Sequence, residues 1–165
     1  MYINRKMNIA LVDDDEQMRE MLSDFLTEKY PESHIETYSN GEDAIKHITQ
    51  EPDLLILDYH LDSNDPTAMN GLQILKKLKE SFQNLPVIFL SGQEKAEIAA
   101  NTIKYGAWDY VVKNENAFHR IEILITNITG NVELKKNLGT QKFFNRLLAI
   151  LLIALIIGFI AMKMN

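Results

Sequence analysis

Cysteine is absent from the 165 residues, which excludes a disulfide scaffold, a Cys-ligated zinc or iron–sulfur site, and thiol catalysis. An excess of positive charge is missing too. Seventeen Lys+Arg stand against 23 Asp+Glu, a net −6, whereas a large nucleic-acid footprint needs clustered Lys and Arg. No repeat or low-complexity tract is visible. Hydrophobic residues make up 46% of the chain, so the low hydrophobicity and high charge that keep a chain disordered are lacking as well. What remains is the composition of one compact domain plus a modest extra segment.

Acidic residues are missing altogether from the last 24 positions, which hold Lys142, Arg146 and Lys163, while residues 1–141 carry a net −9. Within that cationic stretch residues 147–162 (LLAILLIALIIGFIAM) contain no charge, hydroxyl or amide. As a helix they would span roughly 24 Å, a little short of a bilayer core of about 30 Å. Phe143 and Phe144 can sit at one interface, and Arg146 and Lys163 can extend their charges outward from the ends. A helix hydrophobic on every face has no side to show water. Its C-terminal position excludes a signal peptide. The expectation is a single-pass C-terminal anchor over residues 143–165. Lys135, Lys136, Lys142 and Arg146 precede it, which by the positive-inside rule leaves the rest of the chain in the cytoplasm, at the inner membrane. A self-associating helix is the alternative. Residues 130–141 (GNVELKKNLGTQ) read as a polar linker, giving a domain over 1–129, a linker over 130–142 and the anchor beyond.

Five short apolar runs recur before that: 8–12 (NIALV), 34–38 (HIETY), 54–57 (LLIL), 87–90 (VIFL) and 110–112 (YVV). The first, third and fourth are continuously apolar, as central parallel strands covered on both faces are. The second alternates and suits an edge. Helical spacing follows each run: Met18, Met21, Leu22, Phe25 and Leu26, ended by Pro31; Ala44, Ile45 and Ile48 behind an Asn40 cap; Leu72, Leu75, Leu78 and Phe82; Ile98, Ala99 and Ile103; and Ile121, Leu124, Ile125 and Ile128. Fivefold strand–helix alternation predicts an α/β sandwich around a parallel sheet.

In open parallel sheets ligands bind beyond the carboxyl ends of the strands. Those ends carry Asp13, Asp14 and Asp15, then Asp58, then Ser91, then Lys113. Clustered carboxylates repel unless a cation or protons neutralise them. Mg²⁺ fits best, because it binds one or two carboxylates and completes its shell with water and phosphoryl oxygen. With a Ser and a Lys opposite, the pattern points to phosphoryl transfer onto a carboxylate.

LVDDD, LLILD, LPVIFLSG and WDYVVK, in this order and spacing, resemble the receiver domain of bacterial response regulators, of the single-domain, chemotaxis-regulator-like kind, over residues 7–128. The resemblance implies a flavodoxin-like, doubly wound five-stranded parallel sheet of order 2-1-3-4-5 flanked by five helices. It makes Asp58 the phosphoacceptor, charged from the phosphohistidine of a sensor histidine kinase or histidine phosphotransfer protein. Asp13 and Asp14 would hold Mg²⁺ with Asp58 and the backbone carbonyl of His60. Lys113 would pair with the phosphoryl group, Ser91 would be drawn toward it, and Tyr110 would be the aromatic that turns inward when Ser91 moves. The side chains of His60 and Gln93 would tune phosphoryl lifetime.

The chain departs from the family's pattern in three ways. The glycine usual eight residues after the acceptor is replaced at that position, and the nearest candidate, Gly71, lies thirteen residues on. Residues 61–70 (LDSNDPTAMN) therefore form a lengthened polar loop beside the site. Asn114 stands where a Pro commonly follows the Lys, and no DNA-binding domain reads after the last helix. Asp15 reads as an early-helix charge, Asp62 and Asp65 as loop solvators, and His34, His47 and His119 as surface or packing residues. Trp108 reads as a packing residue before the fifth strand.

The leading expectation is a membrane-tethered phosphoacceptor, not an enzyme in its own right. Its output would be a protein contact through the fourth helix, fifth strand and fifth helix, with an unidentified downstream partner and a possible homodimer, and without direct nucleic-acid binding. The alternative is an Mg²⁺-dependent aspartyl-nucleophile phosphatase. Such enzymes need a second Asp two residues past the nucleophile, where this chain has His60.

Overall fold

The computed structural model describes residues 6–61, 67–93 and 95–164, with the side chains of residues 132–140 and 152–164 left out. Its elements alternate as β1 (Asn8–Val12), α1 (Glu16–Lys29), β2 (His34–Tyr38), α2 (Gly41–His47), β3 (Leu54–Asp58), α3 (Gly71–Ser81), β4 (Val87–Ser91), α4 (Ala96–Lys104), β5 (Asp109–Val112) and α5 (Ala117–Met164). The sheet is parallel with order β2-β1-β3-β4-β5, so the expected doubly wound arrangement is found. The chain divides into two units, Met1–Thr126 and Asn127–Asn165.

Burial follows from position in this order. β3 and β4 are buried at every residue, and β1 at all but Asn8, whereas β2 on the edge is exposed or half-buried throughout. Side chains of a strand alternate between faces. Ala10, Val12, Leu55, Leu57, Val87 and Phe89 accordingly share one cluster with Ala44 of α2 and Ile74, Leu75 and Leu78 of α3. On the opposite face α1 and α5 meet through Phe25 and Phe118, whose ring centroids are 5.2 Å apart, and through a 3.4 Å Lys29–Glu122 ion pair. The apolar stripe on α1 is wider than its buried face: Leu22 and Leu26 are fully buried, but Met21 is exposed.

Register places the chemistry. Val12 lies opposite Leu57, Asp58 opposite Leu90, and Ser91 opposite Val112. The acceptor candidate and Ser91 are thus the last rungs of their own strands, one residue further into the ladder than the sequence pattern suggested.

α3 is fixed at its start by a reciprocal cap: Gln73 N donates to Asn70 Oδ1 at 3.1 Å, and Asn70 N donates to Gln73 Oε1 at 2.9 Å. Replacing Asn70 by Ala removes the side-chain half of this cap and is expected to cost about 1 kcal/mol, read as a lower urea midpoint at unchanged slope.

The stretch expected as a linker is helical backbone, since α5 continues through residues 130–142. Each of its two glycines, Gly130 and Gly139, costs a helix only about 1 kcal/mol, and extending a helix already nucleated is cheap. Among the described residues no helix is long and apolar enough to cross a membrane, so the transmembrane helix expected over 143–165 is not found among them. Residues 152–165 of that expectation lie outside the described side chains.

Candidate functional site

β1, β3, β4 and β5 end at one rim, Asp58 and Ser91 closing β3 and β4 and Asp13 and Lys113 lying just past β1 and β5. Asp13 is fully buried and Asp58 is 3% exposed. Between them sits the Lys113 ammonium, 2.9 Å from Asp13 Oδ2 and 3.2 Å from Asp58 Oδ1. Asp14 is half-buried, and carboxylate oxygens of Asp13, Asp14 and Asp58 lie within 4.8 Å of one another.

The turn carrying Asp13 is held by its neighbours. Asp15 N donates to Asp13 Oδ1 at 3.0 Å, Asp15 caps α1 by accepting from Met18 N, and Arg19 Nη1 donates to the Asp13 carbonyl at 2.7 Å. Asp15 is therefore a helix cap, as expected of an early-helix charge. The Arg19 contact had no signal in the sequence, because it depends on how the first turn of α1 folds back on β1.

Three carboxylates face one ammonium, and the electrostatics reflect that imbalance. Burial pushes the Asp58 carboxyl up to about 6; Lys113 opposes the rise, and Asp13 and Asp14 add to it. Burial likewise raises Asp13 above the usual carboxylate range, against the pull of Lys113 and the Asp15 N–H. Burial alone would depress Lys113, but Asp13 and Asp58 together hold it above the ordinary lysine range. Apart from that ammonium, Asp13 Oδ2 and Asp58 Oδ1 accept no hydrogen bond and are shut off from solvent. Hard, buried, excess oxygen charge of this kind fits a divalent cation such as Mg²⁺.

The other predicted residues lie on the same strand ends or just past them: Ser91 closes β4 with Gln93 two residues on, His60 follows β3 by two, and Tyr110 is in β5. Lys113 N donates to the Ser91 carbonyl at 2.7 Å, and the buried Ser91 Oγ accepts from Gln93 N at 3.2 Å. Tyr110 Oη donates to the Gln93 carbonyl at 2.5 Å. Gln93 Oε1 is buried with no hydrogen-bond partner. His60 is half-buried, edge-on to the Tyr59 ring at 4.9 Å.

Gly71 opens α3 directly against the acceptor strand: its N–H donates to the Tyr59 carbonyl at 3.0 Å, and a Cβ there would strike the Asp58 carbonyl. It thus provides the close approach to the acceptor despite its greater distance along the chain. Asn114 accepts from Asn116 N at 2.9 Å and from Ala117 N at 3.0 Å, forming the turn into α5 without the proline.

His34, His47 and His119 lie on the surface. Trp108, expected to pack, is 43% exposed. Asp62 and Asp65 lie outside the described residues.

A parallel sheet ending in buried carboxylates, a hydroxyl and an ammonium defines a phosphoacceptor class of site. A profile of the response regulator receiver domain matches residues 9–125, and the chain belongs to that family. Receiver domains bind Mg²⁺ at an acidic pocket, and Asp13, Asp14 and Asp58 form such a pocket here.

The chain is 41% identical over 110 residues to a protein-glutamate methylesterase/protein-glutamine glutaminase of Bacillus subtilis, covering 65% of this chain and 29% of the relative. It is 29% identical over 133 residues to the DNA-binding transcriptional regulator NtrC of Proteus hauseri, covering 80% of this chain and 27% of the relative. The crystal structure of NtrX from Brucella abortus superposes with a TM-score of 0.70 at 25% identity, over 82% of this chain and 30% of that one. The chain spans less than a third of the length of each of these proteins.

Proposed function

We propose that Asp58 accepts a phosphoryl group from the phosphohistidine of a sensor histidine kinase or histidine phosphotransfer protein. A carboxylate oxygen of Asp58 attacks phosphorus, the P–N bond breaks, the imidazole leaves with a proton, and an acyl phosphate remains. The observation that carries this reading is a nearly buried carboxylate at the end of a central strand, 3.2 Å from a lysine ammonium and grouped with two further carboxylates.

Asp13, Asp14, Asp58 and the His60 carbonyl would hold Mg²⁺, whose charge offsets that of the phosphoryl oxygens. Lys113 neutralises a further oxygen. Ser91 Oγ would follow the phosphoryl group, and its movement would reach Tyr110 through the Gln93 backbone, whose N–H donates to Ser91 Oγ and whose carbonyl accepts from Tyr110 Oη. The side chains of His60 and Gln93 border the site and tune access of water to the acyl phosphate.

Output is a contact with another protein, a homodimer included, through α4, β5 and α5. A domain over 1–129 is carried on a helical linker. The tail from residue 143 anchors the chain at the cytoplasmic face of the inner membrane: Phe143, Phe144, Leu147, Leu148, Ile150 and Leu151 are all at least 44% exposed, and apolar surface on that scale calls for cover.

Incubation with acetyl phosphate and Mg²⁺ is expected to add one phosphoryl group, mapped by peptide mass to Asp58. Absence of the adduct overturns the reading, and steady turnover of p-nitrophenyl phosphate would favour the phosphatase instead. Full-length protein that stays in the supernatant without detergent would exclude the anchor.

A further inference from the structure

The lengthened loop after β3 has its two limbs held by the same short stretch of α2. On the outgoing limb, Leu61 is buried with its Cδ1 3.4 Å from where a Cβ on Gly41 would stand. On the returning limb, Met69 N donates to Glu42 Oε1 at 2.8 Å. Gly41 is also where Ile74 of α3 presses closest, since a Cβ there would overlap its side chain. Successive residues at the start of α2 therefore grip the chain as it leaves and as it re-enters the site.

What these limbs position is the segment carrying the His60 carbonyl. Tyr59 N donates to the Leu90 carbonyl at 2.9 Å, and the Tyr59 carbonyl accepts from Gly71 N at 3.0 Å. Gly71 is two residues beyond the amide that Glu42 holds. A longer loop has more conformations to lose, so a hydrogen bond that fixes its returning limb has more to hold in place.

We infer that Glu42 is a positioning residue for the metal site. By fixing Met69 it seats Gly71 against Asp58 and Tyr59, and so holds the His60 carbonyl where Mg²⁺ takes it. This rests on the metal reading given above, but Glu42 touches neither the metal nor the phosphoryl group. It is exposed, so its replacement leaves the core intact.

The test is calorimetric Mg²⁺ titration of the full-length chain, with hydrogen exchange at the Met69 amide. Glu42→Ala is expected to weaken Mg²⁺ binding about tenfold, the scale seen when groups supporting metal ligands are removed, and to speed exchange at Met69. Glu42→Gln keeps an accepting Oε1 and is expected to bind Mg²⁺ close to the wild type, well above Glu42→Ala. Its rescue separates the hydrogen bond from the charge. A wild type that binds Mg²⁺ and a Glu42→Ala variant that matches it overturn the clamp alone. Equal loss in both variants also overturns it, because charge would then be acting. A wild type that binds no Mg²⁺ overturns the clamp together with the metal reading.

Discussion

Asp58→Asn is expected to abolish phosphorylation by acetyl phosphate and, at the same time, to make the metal-free protein more stable at neutral pH. Loss of function follows because the amide is no nucleophile. The gain in stability follows from linkage. The carboxyl of Asp58 sits at about 6 in the fold against an ordinary aspartate value of 3.8. The fold therefore binds this proton more tightly than the unfolded chain does. Its contribution is most favourable at low pH, is lost as pH rises from about 4 to about 6, and stays lost above that. An asparagine in its place has no such proton to lose, and Lys113 keeps Asp13 at 2.9 Å as its partner. The variant's advantage should therefore open between about pH 4 and pH 6 and plateau on the order of 3 kcal/mol. Urea denaturation of both proteins across that pH range checks it. Millimolar Mg²⁺ should narrow the gap by stabilising the wild type more. A variant no more stable than the wild type at about pH 7.5 would show that Asp58 carries no such strain.

Gly71→Ala should be the most damaging single methyl group in the domain. The added carbon would meet the Asp58 carbonyl, with Phe89 Cε1 and Tyr59 Cα each 3.0 Å away. Two of these three neighbours are main chain and cannot rotate aside. Overpacking of a core costs about 1–3 kcal/mol where side chains can yield, so about 3 kcal/mol or more is expected here. Gly92→Ala is the control: a Cβ there meets nothing within 4 Å, and the change should stay within about 0.5 kcal/mol. Chemical denaturation of both variants gives the comparison. If Gly71→Ala behaves like Gly92→Ala, α3 does not rest on the acceptor strand as described.

The acceptor and the glycine beside it show what the sequence could and could not tell. Asp13, Asp58 and Ser91 were readable because a buried parallel strand is a continuous apolar run, so the polar residue ending it stands out, and Lys113 because it directly follows the short apolar run of β5. The Asn40 cap was readable for the same local reason, and its bond to Asp43 N is present at 2.8 Å. The cap at Asn70 and Gln73 carries an equally local signal that the loop composition around it obscured. Gly71 could be flagged as displaced, but its fit against Asp58 depends on how α3 returns to the sheet. Glu42 and Arg19 left no trace, since each acts on a backbone group brought near only by the tertiary fold. Met21 and Trp108 ran the other way: being apolar suggested burial, yet each is more than 40% exposed. Hydrophobic residues inside is a one-way rule.

The strand order has a consequence for how the domain assembles. Every ladder joins distant stretches of chain, as Ile9 with Leu54 and Leu55 with Val87 do. Such topologies fold slowly and expose partly paired sheets on the way. The β1–β3 ladder brings Asp13 and Asp58 side by side, but their ammonium arrives only with β5. A sheet halted at four strands would therefore hold two adjoining carboxylates with no cation between them, a costly arrangement. The charges that prepare the site for chemistry thus also work against stopping short, making the fifth strand a condition for the cooperativity of the other four.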